Sequence, residues 1–233
     1  KMVAQAYADT SATSKPPRGV NIIGCPFARS GMAEGCRSSI RALSAVDQTC
    51  AVIDSGIAPA TSGSPETLDA ECRKQPEFQL SLIHINAAEM DLVRTHFPQL
   101  TGSTHTSIGY WYWELPEFPA EWMHAFQGLS ELWVASSFCQ EAISKVSPIP
   151  VVKIPPCLPP LPDALPDADA IRERYGIPKG KYAFLCMADA LSALERKNPK
   201  GVLEAFTSAF DRNDDRACLV VKLSNLSHAK SDI

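Results

Sequence analysis

No stretch of this sequence holds the ~18 consecutive apolar residues that a membrane-spanning helix needs, and the first twenty residues lack the apolar core of a signal peptide. Basic excess is also missing. Lys and Arg number 22 against 26 Asp and Glu, a net charge of −4, which excludes a polyanion binder working through bulk charge. No two of the eight cysteines form a C-x-x-C pair, so neither a zinc knuckle nor a dense disulfide framework is expected. Several cysteines lie inside apolar runs such as CAVI and FLCM, where a thiol packs as a small hydrophobe. Neither G-x-G-x-x-G nor G-x-x-x-x-G-K-[ST] occurs, which removes the dinucleotide and P-loop fingerprints. These absences leave a soluble, cytoplasmic protein with free thiols as the expectation.

What is present is an alternation. Short apolar runs, GVNIIGC (19–25), TCAVIDSG, FQLSLIHIN (78–86), TSIGYWYWEL (106–115), SELWVASSF (130–138) and PVVKIP (150–155), read as strands. Segments with helical periodicity separate most of them; in the first, Met32, Cys36, Ile40 and Leu43 share one face. Residues 57–77 are polar and turn-rich, a long loop with room for one short helix. Strands alternating with helices predict a parallel, doubly wound α/β sheet, a Rossmann-like fold class. Ser137 and Gln140 have capping-box spacing before the helix CQEAISKV.

Composition then changes. Eight prolines fall between Pro148 and Pro166, a density incompatible with a central strand or a helix interior. The expected organisation is a loose arm over 1–18, a first domain over 19–155, a proline-rich linker over 156–168 and a second α/β domain beginning at 169. In that second domain DADAIRERYGI reads as a helix capped by Asp169. KYAFLCMADA and ACLVVKLSN read as strands around the helix NPKGVLEAF. These elements are too few to close a sheet, so the second domain is expected to be incomplete at residue 233.

Candidate sites follow the C-terminal ends of the strands, where open α/β sheets bind ligands. The turn Gly24-Cys-Pro-Phe-Ala-Arg29-Ser-Gly31 lets a ligand approach backbone at a helix N-terminus, or is simply a tight turn. His84 and Asn86 close the third long strand on the same edge, and a histidine in an apolar strand is either functional or a satisfied core residue. Tyr110, Trp111, Tyr112 and Trp113 cannot all face one core, since neighbours on a strand point to opposite sides. Some of them line a surface that suits a sugar or base, or pack against helices. Glu114 follows them. Asp167 and Asp169 form a D-x-D, but its place in the linker favours helix capping over a metal. Arg196 and Lys197 precede a helix N-terminus in the first βα connection of the second domain, a suitable diphosphate clamp or an ordinary solvated pair.

The strings GCPFARSGMAEGCR, GYWYWELPEFPAEW, ELWVASSFCQEAI and ERKNPKGVLEAF, in that order and with a proline hinge before the last, resemble bacterial glycosyltransferases of family four (group 1). The resemblance runs from about residue 19 to 225. It implies the GT-B fold, two Rossmann-like domains facing a cleft, with the acceptor mainly on the first and the nucleotide sugar mainly on the second. It implies retaining, metal-independent transfer from a nucleotide-diphosphate sugar, no cofactor and no nucleic acid. The acceptor would be a glycan or a lipid-linked glycan, in cell-surface polysaccharide synthesis, in the cytoplasm or at the inner face of the membrane.

By that resemblance Arg196 and Lys197 neutralise the donor diphosphate, and Gly31 belongs to the loop that approaches phosphate. Arg29, Asn86, Trp111 and Trp113 are acceptor-side candidates, and Glu114 and His84 are catalytic candidates. The sequence departs from the family at Trp113 and Glu114, where many members carry histidine. The family's paired glutamates are also missing, since no two glutamates stand eight apart. A non-catalytic sugar- or protein-binding module of the same fold is therefore the alternative.

Overall fold

The computed structural model describes residues 18–57, 71–159, 161–190 and 194–225. The expected arm, except Arg18, and most of the expected 57–77 loop lie outside the described residues. The chain divides into two compact units, one ending at Pro159 and the other formed by the residues after it.

The first unit is a seven-stranded parallel sheet. Its strands are β1 (Val20–Gly24), β2 (Cys50–Asp54), β3 (Cys72–Arg73), β4 (Leu80–Ile83), β5 (Thr106–Trp111), β6 (Glu131–Val134) and β7 (Val151–Lys153). They lie in the order β3-β2-β1-β4-β5-β6-β7, every pair parallel. This is the Rossmann-like α/β class expected from the alternation. The two-residue β3 falls inside the segment read as loop, and two residues are too few to show a period of two.

β1 is an interior strand between β2 and β4, and both Ile22 and Ile23 are fully buried because helices cover the two faces of a parallel sheet. Ile22, Val52, Leu82 and Tyr110 point toward α1 (Gly31–Ser44). Ile23, Ile53, Ile83, Trp111 and Leu132 point the other way. There they meet α2 (Met90–His96), a 3-10 stretch at Ala120–Phe126 and α3 (Ser137–Ser144). The segment AEWMHAFQGL, with Trp122, Phe126 and Leu129 at helical spacing, thus forms a 3-10 stretch and not a regular α-helix. At α3 the cap is Ser136, whose Oγ accepts from Cys139 N–H, and not Ser137. Gln140 is drawn away from any capping box to donate to the Val151 carbonyl at 2.8 Å.

At the N-terminal edge of the sheet one fully buried side chain gathers the chain. Asn21 Nδ2 donates to Phe78 O (2.7 Å), Leu80 O (3.1 Å) and Ser81 Oγ (2.9 Å). Its Oδ1 accepts from Glu77 N (2.8 Å) and Phe78 N (3.0 Å). An amide with two donors and one acceptor oxygen can be satisfied in full this way, which makes its burial tolerable.

The second unit comprises α4 (Ala168–Arg174), β8 (Tyr182–Asp189), α5 (Leu194–Lys197), α6 (Pro199–Ala209) and β9 (Ala217–Ser224). β8 and β9 pair in parallel over eight residues. Phe184 packs on Phe206 of α6 and on Phe210 just after it, while Leu185 and Met187, at alternate positions, are 63% and 60% exposed. Asp167, not Asp169, caps α4, its carboxylate accepting from Asp169 N–H at 3.0 Å.

Candidate functional site

The first unit has a topological switch point. From β1 the chain moves outward to β2 in one direction, and from β4 it runs the other way to β7. The loops that leave β1 and β4 therefore diverge at the C-terminal edge between these neighbours, the usual ligand position in such sheets. Gly31, Arg29, His84, Asn86, Trp113 and Glu114 all lie on this edge, within or just after the loops that leave β1, β4 and β5.

The loop after β1 is held from below by Arg37. Its Nη1 donates to Pro26 O at 2.7 Å and Ala28 O at 3.0 Å, and its Nε to Glu34 at 2.9 Å. Glu34 also receives Arg41 at 2.6 Å, and these two guanidinium bonds hold its carboxyl below the ordinary range despite the opposing effect of burial. Sequence reading missed this clamp, although the spacing of Glu34, Arg37 and Arg41 along one helix face carries its signal. Ser30 caps α1 by accepting from Ala33 N–H. Arg29 and Gly31 are exposed on this loop, and a Cβ at Gly31 would meet no atom within 4 Å. Packing within the unit therefore does not require glycine at position 31.

His84 is 2% exposed and sits between α1 and β5. Its Nε2 is 3.0 Å from Ser39 Oγ, and its ring stacks on Tyr110 with centroids 4.7 Å apart. Burial pushes its pKa down to about 3, so the imidazole is neutral at any physiological pH. This environment is that of an interior side chain. Asn86 is half-buried, and its Oδ1 accepts from Tyr112 N–H at 2.9 Å, which ties the β4 loop to the end of β5. Tyr112 then crosses α1 at Gly35, where any Cβ would strike its hydroxyl.

The aromatic run splits as the strand geometry demands. Trp111, an acceptor-side candidate from the sequence, is 1% exposed and stacks on Phe118 in the core, so it cannot face a ligand. The cause is its register: Trp111 shares a face with Ile23 and Leu132, the face that α2, α3 and the 3-10 stretch cover. Trp113 is half-buried beyond the strand end, edge-on to Phe118 and Trp122, and its Nε1 donates to Glu117 O at 2.8 Å. Glu114 is exposed beside it.

In the second unit Arg196 and Lys197 lie on a helical turn, α5, where the sequence placed a loop. Asn198 separates this turn from α6. It adopts φ +46, and its side chain accepts from Gly201 N–H at 3.0 Å, capping α6 ahead of Pro199. Two exposed cations thus immediately precede the N-terminus of an eleven-residue helix, on the connection that leaves the C-terminal end of β8. The C-terminal ends of β8 and β9 are bridged by Asp189 and Asn225, which sequence reading did not single out.

Among the described residues no cluster of His, Cys, Asp or Glu is arranged to hold a metal ion, and no helix is long and apolar enough to cross a membrane. The chain matches no family model and no curated protein.

Proposed function

We propose that this protein is a glycosyltransferase of the GT-B type that moves a sugar from a nucleotide-diphosphate sugar to an acceptor hydroxyl. The second unit takes the donor and the first unit the acceptor. The observation that carries this reading is the position of Arg196 and Lys197, directly before the capped N-terminus of α6 and beyond the C-terminal end of a parallel strand. A helix N-terminus offers unpaired N–H groups to an anion, and two cations add charge-assisted bonds to phosphate oxygens.

The chemistry that suits this arrangement is departure of a diphosphate. The bond from the sugar's anomeric carbon to the phosphate oxygen breaks, the bond to the acceptor oxygen forms, and the acceptor's proton leaves with the diphosphate. Negative charge grows on the leaving group, and fixed cations stabilise it most in the transition state. On the first unit, Asn86, Trp113 and Glu114 at the C-terminal edge offer the mixture of aromatic face and polar groups that a sugar acceptor needs.

The test is a screen of nucleotide sugars and glycan acceptors by product mass, followed by Lys197→Ala and Lys200→Ala. A charge-assisted bond contributes roughly 1.5–3 kcal/mol. Lys197→Ala should therefore lower turnover by about tenfold to a hundredfold, and the Lys200 substitution much less. Equal effects, or full turnover in Lys197→Ala, would overturn the assignment. Sugar-nucleotide binding without any product would point to the non-catalytic module.

A further inference from the structure

On the face of the first sheet that packs against α1, the chain leaving β7 runs back to that helix. Tyr110 Oη donates to Ile154 O at 2.6 Å and Ser38 Oγ to Cys157 O at 2.8 Å, so two hydroxyls hold residues 154–157 in place. Between this segment, α1 and the sheet lies a cavity of about 150 Å³. Its walls are almost wholly apolar and include Leu43, Leu80, Leu82, Ile108 and Trp133. An apolar cavity of this size stays dry and can take up a molecule such as benzene.

One polar group on this wall keeps a proton to give. Ser39 lines the cavity, and its Oγ is 3.0 Å from His84 Nε2. The buried imidazole is neutral, so one ring nitrogen carries a proton and the other a lone pair. Nδ1 is buried with no partner among the described residues. A proton on Nδ1 would orphan a buried donor, which is rarer in proteins than an under-satisfied acceptor. The hydrogen-bond network therefore assigns the proton to Nε2, which donates to Ser39 Oγ. The Ser39 hydroxyl proton is left without an acceptor among the described residues, whereas those of Ser38 and Tyr110 are already committed to Cys157 O and Ile154 O.

We propose that this cavity binds a small apolar molecule with one hydrogen-bond acceptor, such as a cyclic ketone, whose oxygen takes the Ser39 proton. The volume is too small for a helix or a sugar nucleotide. The apolar walls exclude a charged or polyhydroxylated ligand, whose polar groups would be buried without partners. Neither Ser39 nor the residues of the wall take part in the donor or acceptor roles proposed above, so the two assignments stand or fall separately.

The experiment is methyl-detected NMR of the whole chain titrated with cyclohexanone and with methylenecyclohexane, a hydrocarbon of the same shape. Both should shift the methyl signals of Leu43, Leu82 and Ile108 saturably. Ser39→Ala should weaken cyclohexanone binding by about twofold to tenfold, the effect of one neutral hydrogen bond, and leave the hydrocarbon's affinity unchanged. A second measurement needs no variant and decides the matter should Ser39→Ala fail to fold. The carbonyl signal of carbon-13-labelled cyclohexanone bound to the unaltered chain should lie downfield of its position in a hydrocarbon solvent. Absence of saturable shifts at these methyls would overturn the site. So would a folded Ser39→Ala that binds the ketone as tightly as the unaltered chain, or a bound carbonyl signal at the hydrocarbon-solvent position.

Discussion

His84 gives the fold a measurable pH dependence. In the unfolded chain its imidazole titrates near 6.5, whereas burial between α1 and Tyr110 holds the folded value down to about 3. Between those values the unfolded state binds a proton that the folded state refuses, so stability falls as pH drops. The contribution is complete above about pH 6.5 and decreases continuously toward pH 3. At pH 5, about 1.5 units below the unfolded pKa, the loss is about 2 kcal/mol at about 1.36 kcal/mol per unit. Glutamine at this position cannot be protonated and can still reach Ser39, so His84→Gln should lack this component while costing some packing at neutral pH. The assay is urea denaturation at pH 7.5 and pH 5 followed by tryptophan fluorescence. All four tryptophans, at 111, 113, 122 and 133, belong to the first unit and report on it alone. His105, whose pKa burial also lowers, is present in both proteins and cancels in the comparison. The unaltered chain should lose about 2 kcal/mol more than His84→Gln between the two pH values. Equal losses would refute the account of His84 as a buried neutral base.

Two further outcomes follow from packing. Asn21→Ala removes five hydrogen bonds around one buried amide and takes this partner away from part-buried backbone groups of Glu77, Phe78 and Leu80. It should cost about 3 kcal/mol or more in urea denaturation without changing nucleotide affinity, because it lies at the edge of the sheet away from the candidate site. Gly35→Ala places a methyl group on the Tyr112 hydroxyl and should cost about 1–3 kcal/mol. The double variant with Tyr112→Phe should recover much of that loss in thermal melts, and no recovery would mean that the crowding lies elsewhere.

The alternation of short apolar strands with amphipathic segments sufficed for the α/β class, because a parallel sheet needs crossovers and crossovers need length. The runs GVNIIG and SLIHIN read as strands, and they form β1 and β4, neighbours inside the sheet. That Arg196, Lys197 and Gly31 fall between a strand and a helix was also legible, because such a position is a local property, though the turn α5 that carries the two cations was not.

Long-range register was not. Trp111 and Trp113 are chemically alike and two residues apart, yet only the end of β5 at Trp111 decides that one ring is sealed in the core and the other remains partly open. Asn21 reads as a polar interruption in an apolar strand until Glu77, Phe78, Leu80 and Ser81 are brought around it from almost sixty residues away. Asp189 and Asn225 are thirty-six positions apart in the chain and meet only because β8 and β9 are parallel and in register. A sequence encodes periodicity and local caps directly, but a contact between distant polar groups exists only once strand pairing has fixed which residues stand side by side.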